Sequence, residues 1–382
     1  MSQGTKIEWT DATWNPVTGC TIISQGCKNC YAMRFAHRFA GEGQRWEGLT
    51  VLTNQGPRWT GKIKLEETQL LKPLSWKKRR MVFVNSMSDL FHEDVPFEYV
   101  DNVFAVMALT PQHTYQILTK RANRMQEYLS DPDRQEKVCR AMNMLEEVSA
   151  GYPLDGSMHI AGEPLPWPLR NVWLGVSVEN QKTADERIPL LLETPAAIRW
   201  LSIEPLLGYV GLNLARCLNG HGWVTPELCN SGKDYCCPHC HAMVTRCSSN
   251  SPGSFFQKRP IDWIVCGGES SFGARPMNPN WARDVRDQAI AADIPFFFKQ
   301  WGEWSPHLMP NDQAGKDMCL FGSSDTPLYL KDEGAVTRQN FYADAIDGCL
   351  QPGVLLMQKL GKRRAGRILD DREWNQMPEV RS

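Results

Sequence analysis

The sequence predicts an α/β protein whose fold is a (β/α) barrel, full or partial, of the TIM type with a cysteine-rich insertion. Short runs of β-branched and aromatic residues recur along the 382-residue chain and alternate with longer amphipathic stretches. Most of these runs are almost continuously apolar, which is typical of parallel strands covered on both faces. Seven or eight strand and helix pairs fit this length, and a doubly wound open sheet is the alternative.

The apolar runs define the strands in chain order. Seven runs qualify: 6–10 (KIEWT), 80–86 (RMVFVNS), 114–120 (TYQILTK), 172–178 (VWLGVSV), 198–203 (IRWLSI), 263–268 (WIVCGG) and 295–300 (PFFFKQ). A weaker eighth run is GKIKL at 61–65. The helices predicted between them are 31–41, which ends on a glycine, 96–109, which opens with a proline, and 280–293, which starts at an asparagine cap.

Residues 213–258 interrupt this alternation, because they show no apolar period and are rich in Cys, His, Gly, Ser and Asn. We therefore expect three parts. Residues 1–212 form the first part of the barrel, 213–258 an insertion that resembles a zinc-binding segment, and 259–382 the remaining strands with a C-terminal extension.

In a barrel of this type, the residues that follow each strand form the mouth where chemistry takes place. Polar or ionisable residues follow nearly every predicted strand, whereas any one of them alone would be an ordinary cap. They are Asp11, Trp14, Asn15, Asn85, Ser86, Ser88, Asp89, Thr119, Lys120, Arg121, Ser177, Glu179, Asn180, Glu204, Gly267, Gly268, Glu269, Lys299 and Gln300. Together they predict an active-site mouth.

Charge and hydropathy exclude several classes of protein. Lys and Arg number 42 against 43 Asp and Glu, so the net charge of -1 gives no overall basic field, although a local groove can still be basic. The N-terminal segment lacks the charged and apolar regions of a signal peptide, and no run approaches the roughly 18 apolar residues of a membrane span. We expect a cytoplasmic protein that does not enter a membrane.

Three of the 13 cysteines follow the first predicted strand with the spacing C-x6-C-x2-C: Cys20, Cys27 and Cys30. Clustered thiols in a reducing compartment favour metal over disulfides. Three thiolates can hold a 4Fe-4S cluster and leave one iron open, and such an iron can bind S-adenosylmethionine (SAM) for radical chemistry. There are two alternatives for these cysteines: a zinc site completed by a distant ligand, or reduced thiols packed in the core. A zinc hydrolase is a further alternative, since His92 and Glu93 lie close to Asp89 in sequence.

The insertion carries a second group of cysteines. Cys237 and Cys240 form a zinc half-site, and the segment is too poor in apolar residues to fold without a metal. We favour Cys217, Cys229, Cys237 and Cys240 as zinc ligands, with Cys247 as the main substitute. An auxiliary iron–sulfur cluster and a metal-free insertion are the alternatives.

Blocks along nearly the whole chain resemble a known family. They are KIEWTDATWNPVTGCTIISQGCKNCYA, VFVNSMSDLFHEDVP, YQILTKR, WLGVSVENQ, RWLSIEPLLG, WIVCGGESSFGARPM, FFFKQWG and GRILDDREWNQMP. The sequence resembles the phage-type three-cysteine-motif proteins, a group found in phages and bacteria and regarded as radical-SAM-like. More remotely, CKNCY and LTK are similar to the spore photoproduct lyases, which are radical SAM enzymes acting on DNA.

The resemblance implies an enzyme that cleaves SAM reductively and abstracts hydrogen from a substrate, with a 4Fe-4S cluster and SAM as cofactors. It implies SAM or substrate contacts for Asp89, Ser177, Glu179, Gly267, Gly268 and Glu269. Most radical SAM proteins have C-x3-C-x2-C and place Gly-Gly-Glu after the second strand. Here the first gap is six and Gly-Gly-Glu follows a later strand, so either other strands build the SAM pocket or SAM is not the cofactor.

Partners and an alternative function complete the expectations. The resemblance implies a nucleotide or nucleic acid as the substrate, and the reductive chemistry requires an electron donor. The insertion is a candidate contact for a partner protein. The alternative is a zinc-stabilised nucleic-acid-binding or adaptor protein without redox chemistry, whose affinity for nucleic acid would fall steeply with salt. A pure adaptor would not need a ring of ionisable groups around a pocket.

Overall fold

The structure is a computed structural model that describes residues 5–148, 165–212, 215–217, 222–224, 227–228, 235–236, 261–306, 317–322, 326–330 and 354–379. The chain divides into two compact units. The first unit comprises Met1–Ser177 and Asp185–Ser202, and the second comprises Val178–Ala184 and Ile203–Ser382. Within the described residues, no helix has the length and apolar character needed to cross a membrane.

Each unit contains a set of parallel strands, five in the first unit and two in the second. The first five are β1 (Ala12–Trp14), β2 (Met81–Val84), β3 (Thr114–Thr119), β4 (Val172–Ser177) and β5 (Ile198–Ile203). Each pairs with the next in chain order, without the reversal of a doubly wound sheet. The fold is therefore mixed α/β and consistent with a partial TIM-type arrangement, and the doubly wound alternative is wrong.

Helices connect the parallel strands. They are α1 (Tyr31–Arg38), α2 (Phe97–Ala108), α3 (Ala122–Leu129), α4 (Arg134–Val148), α5 (Gln181–Glu193) and α6 (Pro279–Ala291). The predicted asparagine cap of α6 lies two residues earlier than expected, at Asn278, whose side chain accepts a hydrogen bond from the Asn280 amide at 3.0 Å. Pro279 takes the first helical position, where its missing N–H costs nothing.

Shorter elements complete the first unit. Val17–Thr18 pairs with Lys64–Leu65, and the hairpin Thr50–Thr53 and Gly56–Trp59 packs beside α1. Short helical turns occur at Gln25–Cys27, Glu67–Leu70 and Lys72–Ser75.

The second unit contains the strands β6 (Trp263–Gly267) and β7 (Phe296–Gln300), which are parallel. It also has an antiparallel sheet of Trp304–Ser305, Leu355–Lys359, Met318–Phe321 and Leu328–Leu330, the short helix Lys362–Ala365, and the pair Ile368–Leu369 and Arg372–Glu373. Within the cysteine-rich insertion, Ala215–Cys217 pairs with Gly222–Val224, and Glu227–Leu228 with Tyr235–Cys236. The predicted zinc ligands Cys229, Cys237 and Cys240, and the substitute Cys247, lie outside the described residues, and Cys217 ends its strand.

Two strand predictions are wrong. The first strand is β1 and not 6–10, because Thr10 and Asp11 bond instead to the backbone of Met81: the Thr10 hydroxyl donates to its carbonyl at 3.0 Å, and the Asp11 carboxylate accepts from its amide at 2.8 Å. Asp11 therefore precedes the strand it was expected to follow, and Trp14 lies within it. The run 61–65 contributes an antiparallel pair of two residues and no eighth parallel strand.

Aromatic side chains fill both faces of the first unit's strands. On one face, the Trp9 ring lies 4.9 Å from Phe83 and 5.3 Å from Trp200. On the other, Trp14 lies 5.6 Å from Tyr115, whose hydroxyl hydrogen-bonds the Thr110 hydroxyl at 2.7 Å. Burial on both faces explains why the strands read as continuous apolar runs. Most polar residues lie at the strand ends, and Gln116, which is buried in the middle of β3, is an exception.

Candidate functional site

The three cysteines lie on the loop that leaves β1 and ends at α1. Gly19 fixes the start of this loop, because its φ is +91° and a Cβ there would lie 2.1 Å from the Lys62 carbonyl oxygen. Only glycine fits both the left-handed backbone and the close approach. Gly19 also forms a bridge to Ser88, and Cys30 is the N-cap residue directly before α1. The loop is thus held at both ends.

The structure brings the three thiols into electrostatic range of one another. Burial raises the pKa of Cys20 to about 12, and the charges of Asp89, Cys27 and Cys30 add to the shift while Arg121 opposes it. Burial also raises the pKa of Cys30, whereas hydrogen bonds from the helix backbone and the charge of nearby Lys120 lower it by less. Both thiols are therefore protonated at neutral pH without a metal, and a metal that binds them releases protons.

A buried ion pair lies directly behind Cys20. Arg121 donates from Nη1 to Asp89 Oδ2 at 3.1 Å, and the same Nη1 is 4.0 Å from Cys20 Sγ. Both charged side chains are almost fully buried, with 3% and 7% of their surfaces exposed. Buried charges of this kind are costly unless each is paired and fully hydrogen-bonded. The ion pair therefore holds the Arg121 guanidinium, a fixed positive charge, against Cys20, the first predicted cluster ligand.

Asp89 has no capacity for a further partner. Its Oδ1 accepts from the Phe91 amide at 3.0 Å and the Thr119 hydroxyl at 2.7 Å, and its Oδ2 accepts from the Lys120 amide and Arg121 at 3.1 Å each. An ionised carboxylate offers about four acceptor positions, and all are used here. Asp89 therefore serves to position Arg121 at the cysteine loop.

Arg121 in turn connects the loop to the segment after β2. Its Nη2 donates to the Thr21 hydroxyl, and its Nε donates to both oxygens of Glu93 at 2.8 and 2.9 Å. The Thr21 hydroxyl also hydrogen-bonds His92 Nε2 at 3.1 Å. Burial and the charge of Arg121 lower the pKa of His92, so the imidazole is neutral at pH 7. Thr21 carries no sequence signal of its own, and reasoning from spacing missed it.

Asn85 follows β2 and differs from its neighbours. It is 97% buried with a positive φ of 59°, and neither Oδ1 nor Nδ2 has a hydrogen-bond partner among the described residues. A left-handed backbone and an unsatisfied amide both cost free energy, and such costs persist where function requires them. The amide can donate two hydrogen bonds and accept two, so Asn85 is the side chain here whose bonding capacity is open.

The six residues predicted to contact SAM or substrate are only partly brought together. Asp89 is joined to the cysteine loop through Arg121. Ser177 ends β4, where its carbonyl accepts from Arg187 Nη1 at 2.8 Å. The other four, Glu179, Gly267, Gly268 and Glu269, belong to the second unit.

Within the second unit, Leu206 and Leu207 link two of these residues. The Leu207 amide donates to the Glu179 carbonyl at 2.7 Å, and the Leu206 amide donates to the Gly267 carbonyl at 3.1 Å. A Cβ on Gly268 would lie 2.1 Å from the Trp301 carbonyl oxygen, so the glycine permits a close backbone approach.

Glu269 is bonded to Arg275 through both carboxylate oxygens. Oε1 accepts from Arg275 Nη2 at 2.6 Å, and Oε2 accepts from Arg275 Nε at 3.0 Å. The carboxylate is only 5% exposed. The roles of these four residues toward a cofactor stay predictions.

The comparison with protein families accounts for nearly the whole chain. Residues 4–378 match the family described as "Protein of unknown function (DUF5131)". The chain belongs to the DUF5131 family. None of the curated proteins matches this DUF5131 member.

Among solved structures, a cysteine-to-serine mutant of spore photoproduct lyase is similar to this DUF5131 chain at 10% identity. The match covers 92% of this chain and 78% of that chain with a TM-score of 0.33. A similarity this distant supports no conclusion about activity.

The chemistry of the donor set fits an iron–sulfur cluster. Thiolates are the ligands of such clusters, and Cys20, Cys27 and Cys30 supply three of them beside the cations Arg121 and Lys120. In the part of the chain that the structure describes, no group of three or more His, Cys, Asp or Glu side chains is arranged around a single metal ion. A four-iron cluster is a larger group, and its thiolate ligands stand farther apart than those of one ion.

Proposed function

We propose that the chain is a radical-SAM-type iron–sulfur enzyme in which Cys20, Cys27 and Cys30 hold a 4Fe-4S cluster. The observation that carries this proposal is the grouping of three thiols on one loop with a buried guanidinium against Cys20. Three thiolates leave one iron of four without a protein ligand. With a cluster held there, the open iron would bind SAM, and one electron from a donor would supply the chemistry of this class, reductive cleavage of the SAM S–C5′ bond followed by hydrogen abstraction from a substrate.

The chain's own residues have distinct tasks in this proposal. Arg121 offsets the negative charge that three thiolates bring to a buried site, and Asp89 holds Arg121 in place through four filled acceptor positions. Thr21 ties Arg121 to His92, which keeps the loop against the segment after β2. Preorganised charge of this kind needs no rearrangement when the cofactor binds.

Asn85 is our candidate for a polar contact to SAM or substrate. Its buried amide has both donor and acceptor capacity unfilled, and it follows β2 at the strand end where a barrel presents its ligand groups. The Ser86 carbonyl beside it accepts a hydrogen bond from the Tyr31 hydroxyl at 2.8 Å, which ties this strand end to the residue after Cys30. Asn85 therefore belongs to the same part of the molecule as the thiols.

Anaerobic reconstitution tests the proposal. Wild-type protein should bind about four iron and four sulfide per chain, and the EPR spectrum of the reduced protein should change when SAM is added. Single Cys20→Ser, Cys27→Ser and Cys30→Ser variants should lose the signal. Cys139→Ser is the matched control, because Cys139 is a half-buried free cysteine on α4 and should not affect the cluster.

Two outcomes would contradict the proposal. One is a wild-type protein that binds zinc alone or gives no cluster signal. The other is a cluster whose EPR spectrum is indifferent to SAM and whose reduced form produces no 5′-deoxyadenosine.

A further inference from the structure

The exposed face of α1 is aromatic, although the helix is short and lies beside the cysteine loop. Tyr31, Phe35 and Phe39 recur every four residues and are 51%, 46% and 46% exposed. The opposite face is made of Ala32, Met33 and Ala36, which are buried. A helix normally turns its large apolar residues inward and its small or polar ones to water, and here the arrangement is reversed.

Three aromatic side chains, Phe35, Phe39 and Trp46, form one connected group. The Phe35 ring lies 4.9 Å from Phe39 and 5.9 Å from Trp46, in tilted and edge-to-face arrangements. Val51 and Leu52, on the hairpin that packs beside α1, are also exposed, at 50% and 66%. Contiguous exposed apolar surface of this kind marks an interaction site.

Positive charge is interleaved with these rings. The Arg38 guanidinium lies 5.6 Å from the centre of the Phe39 ring. The Arg45 guanidinium lies 5.1 Å from the Trp46 ring and is itself paired with Glu66 at 3.0 Å, so Arg38 is the guanidinium that faces a ligand here. Residues 20–59 contain five Lys and Arg against two Glu, a net charge of +3 in a chain whose total is -1. Rings that present faces to solvent beside guanidinium groups are suited to stack bases and contact phosphates.

The α1 surface, defined as Lys28, Tyr31, Phe35, Arg38, Phe39 and Trp46, begins at the proposed cluster site. Tyr31 directly follows Cys30, and its hydroxyl donates to the Ser86 carbonyl one residue after Asn85. Successive rings on α1 stand about 6 Å apart along the helix axis, at 1.5 Å per residue. A chain of bases stacked along them would end at the cysteine loop.

We propose that the α1 surface binds single-stranded nucleic acid. Unpaired bases expose the faces that stack on aromatic side chains, whereas the bases of a duplex are already stacked on each other. The local positive charge favours a polyanion over an apolar peptide. Binding of nucleic acid to this surface does not depend on the proposed function. The inference that the bound nucleic acid is also the substrate does rest on the proposed function.

Fluorescence anisotropy of the full chain with a labelled oligothymidylate of about 15 nucleotides tests binding. We expect a dissociation constant in the micromolar range, weaker binding to the matching duplex, and a salt slope near -2 from two or three phosphate contacts. The double variant Phe35→Leu/Phe39→Leu keeps apolar area but removes the ring faces, so its affinity should fall at least about tenfold.

Three controls make the result specific. Phe35→Tyr/Phe39→Tyr keeps the ring faces and should bind within about twofold of wild type. Phe272→Leu removes an aromatic residue that is 79% exposed in the second unit, and should have no effect. Lys28→Ala/Arg38→Ala removes two cations and should make the salt slope shallower by about 1.4.

Clear outcomes would overturn the proposal. Affinity weaker than about 10⁻⁴ M, or equal affinity for wild type and the leucine double variant, would do so. Reversible self-association that the leucine double variant abolishes would assign the surface to a second copy of the chain instead. Anisotropy requires neither reductant nor SAM, so failure to bind is distinguishable from failure to form a SAM-responsive cluster.

Discussion

Replacing Asn85 by glycine should make the protein more stable and its site weaker. A buried amide without partners costs about 1–3 kcal/mol, and a non-glycine residue in the left-handed region costs about 1–2 kcal/mol. Glycine removes both costs at φ 59° and loses about 0.5–1 kcal/mol of backbone entropy. The net gain in the free energy of unfolding is about 1–4.5 kcal/mol, or a melting temperature higher by about 1–6 °C for a chain of 382 residues.

The control for this substitution is Asp371→Gly. Asp371 lies in the turn between Ile368–Leu369 and Arg372–Glu373 with φ 62° and is exposed, so glycine there removes the backbone cost without an unsatisfied buried amide. Differential scanning calorimetry of both variants isolates the cost of the Asn85 amide. In cluster-loaded protein, titration calorimetry with SAM should show about tenfold weaker binding to Asn85→Gly, the loss of one good hydrogen bond. Equal melting shifts in the two variants, or unchanged SAM affinity, would refute the reasoning.

Other predictions concern the surroundings of the site. Arg121→Gln leaves Asp89 buried and unpaired, so the free energy of unfolding in urea should fall by about 3–5 kcal/mol. Adding Asp89→Asn should recover part of this loss, because the two residues are coupled. Additive losses in the double variant would contradict the coupling. Gly19→Ala should abolish iron binding, because its methyl group meets the Lys62 carbonyl, and normal iron content would show that the loop adapts. Burial lowers the pKa of His113 below its usual value of 6.5. The neutral imidazole therefore contributes stability that is fully present above about pH 6.5 and is lost as the pH falls through the lowered pKa of the folded state. His113→Gln should flatten this pH dependence of the free energy of unfolding. An unchanged slope would exclude His113 as its source.

The parallel strands could be predicted because burial on both faces leaves a continuous apolar signature. Six of the seven runs are confirmed with small shifts at their ends, such as 172–178 against β4. The first run failed because KIEWT has the composition of a strand, whereas ATW, three residues long, has too little pattern to stand out. Side-chain bonds from Thr10 and Asp11 decide that case, and they depend on Met81, about 70 positions away.

The site was predictable in its residue types but not in its bonding. Spacing singled out Cys20, Cys27 and Cys30, and strand ends singled out Asp89 and Arg121 as separate polar groups. Nothing in the sequence says that Asp89 and Arg121 pair or that the guanidinium reaches Cys20, since these contacts join segments 32 and 101 positions apart. Long-range pairing depends on the register of the strands, which composition does not encode.

The distance along the chain between the thiols and their guanidinium also bears on how the protein is made. Cys20 is synthesised 101 residues before Arg121, so a nascent chain presents three thiols on the ribosome before the guanidinium that lies against Cys20 has been made. Any oxidant met in that interval can join two of these thiols before their metal arrives. Recombinant production therefore calls for a reducing host and an iron supply during translation, because a disulfide formed early would remove two of the three ligands.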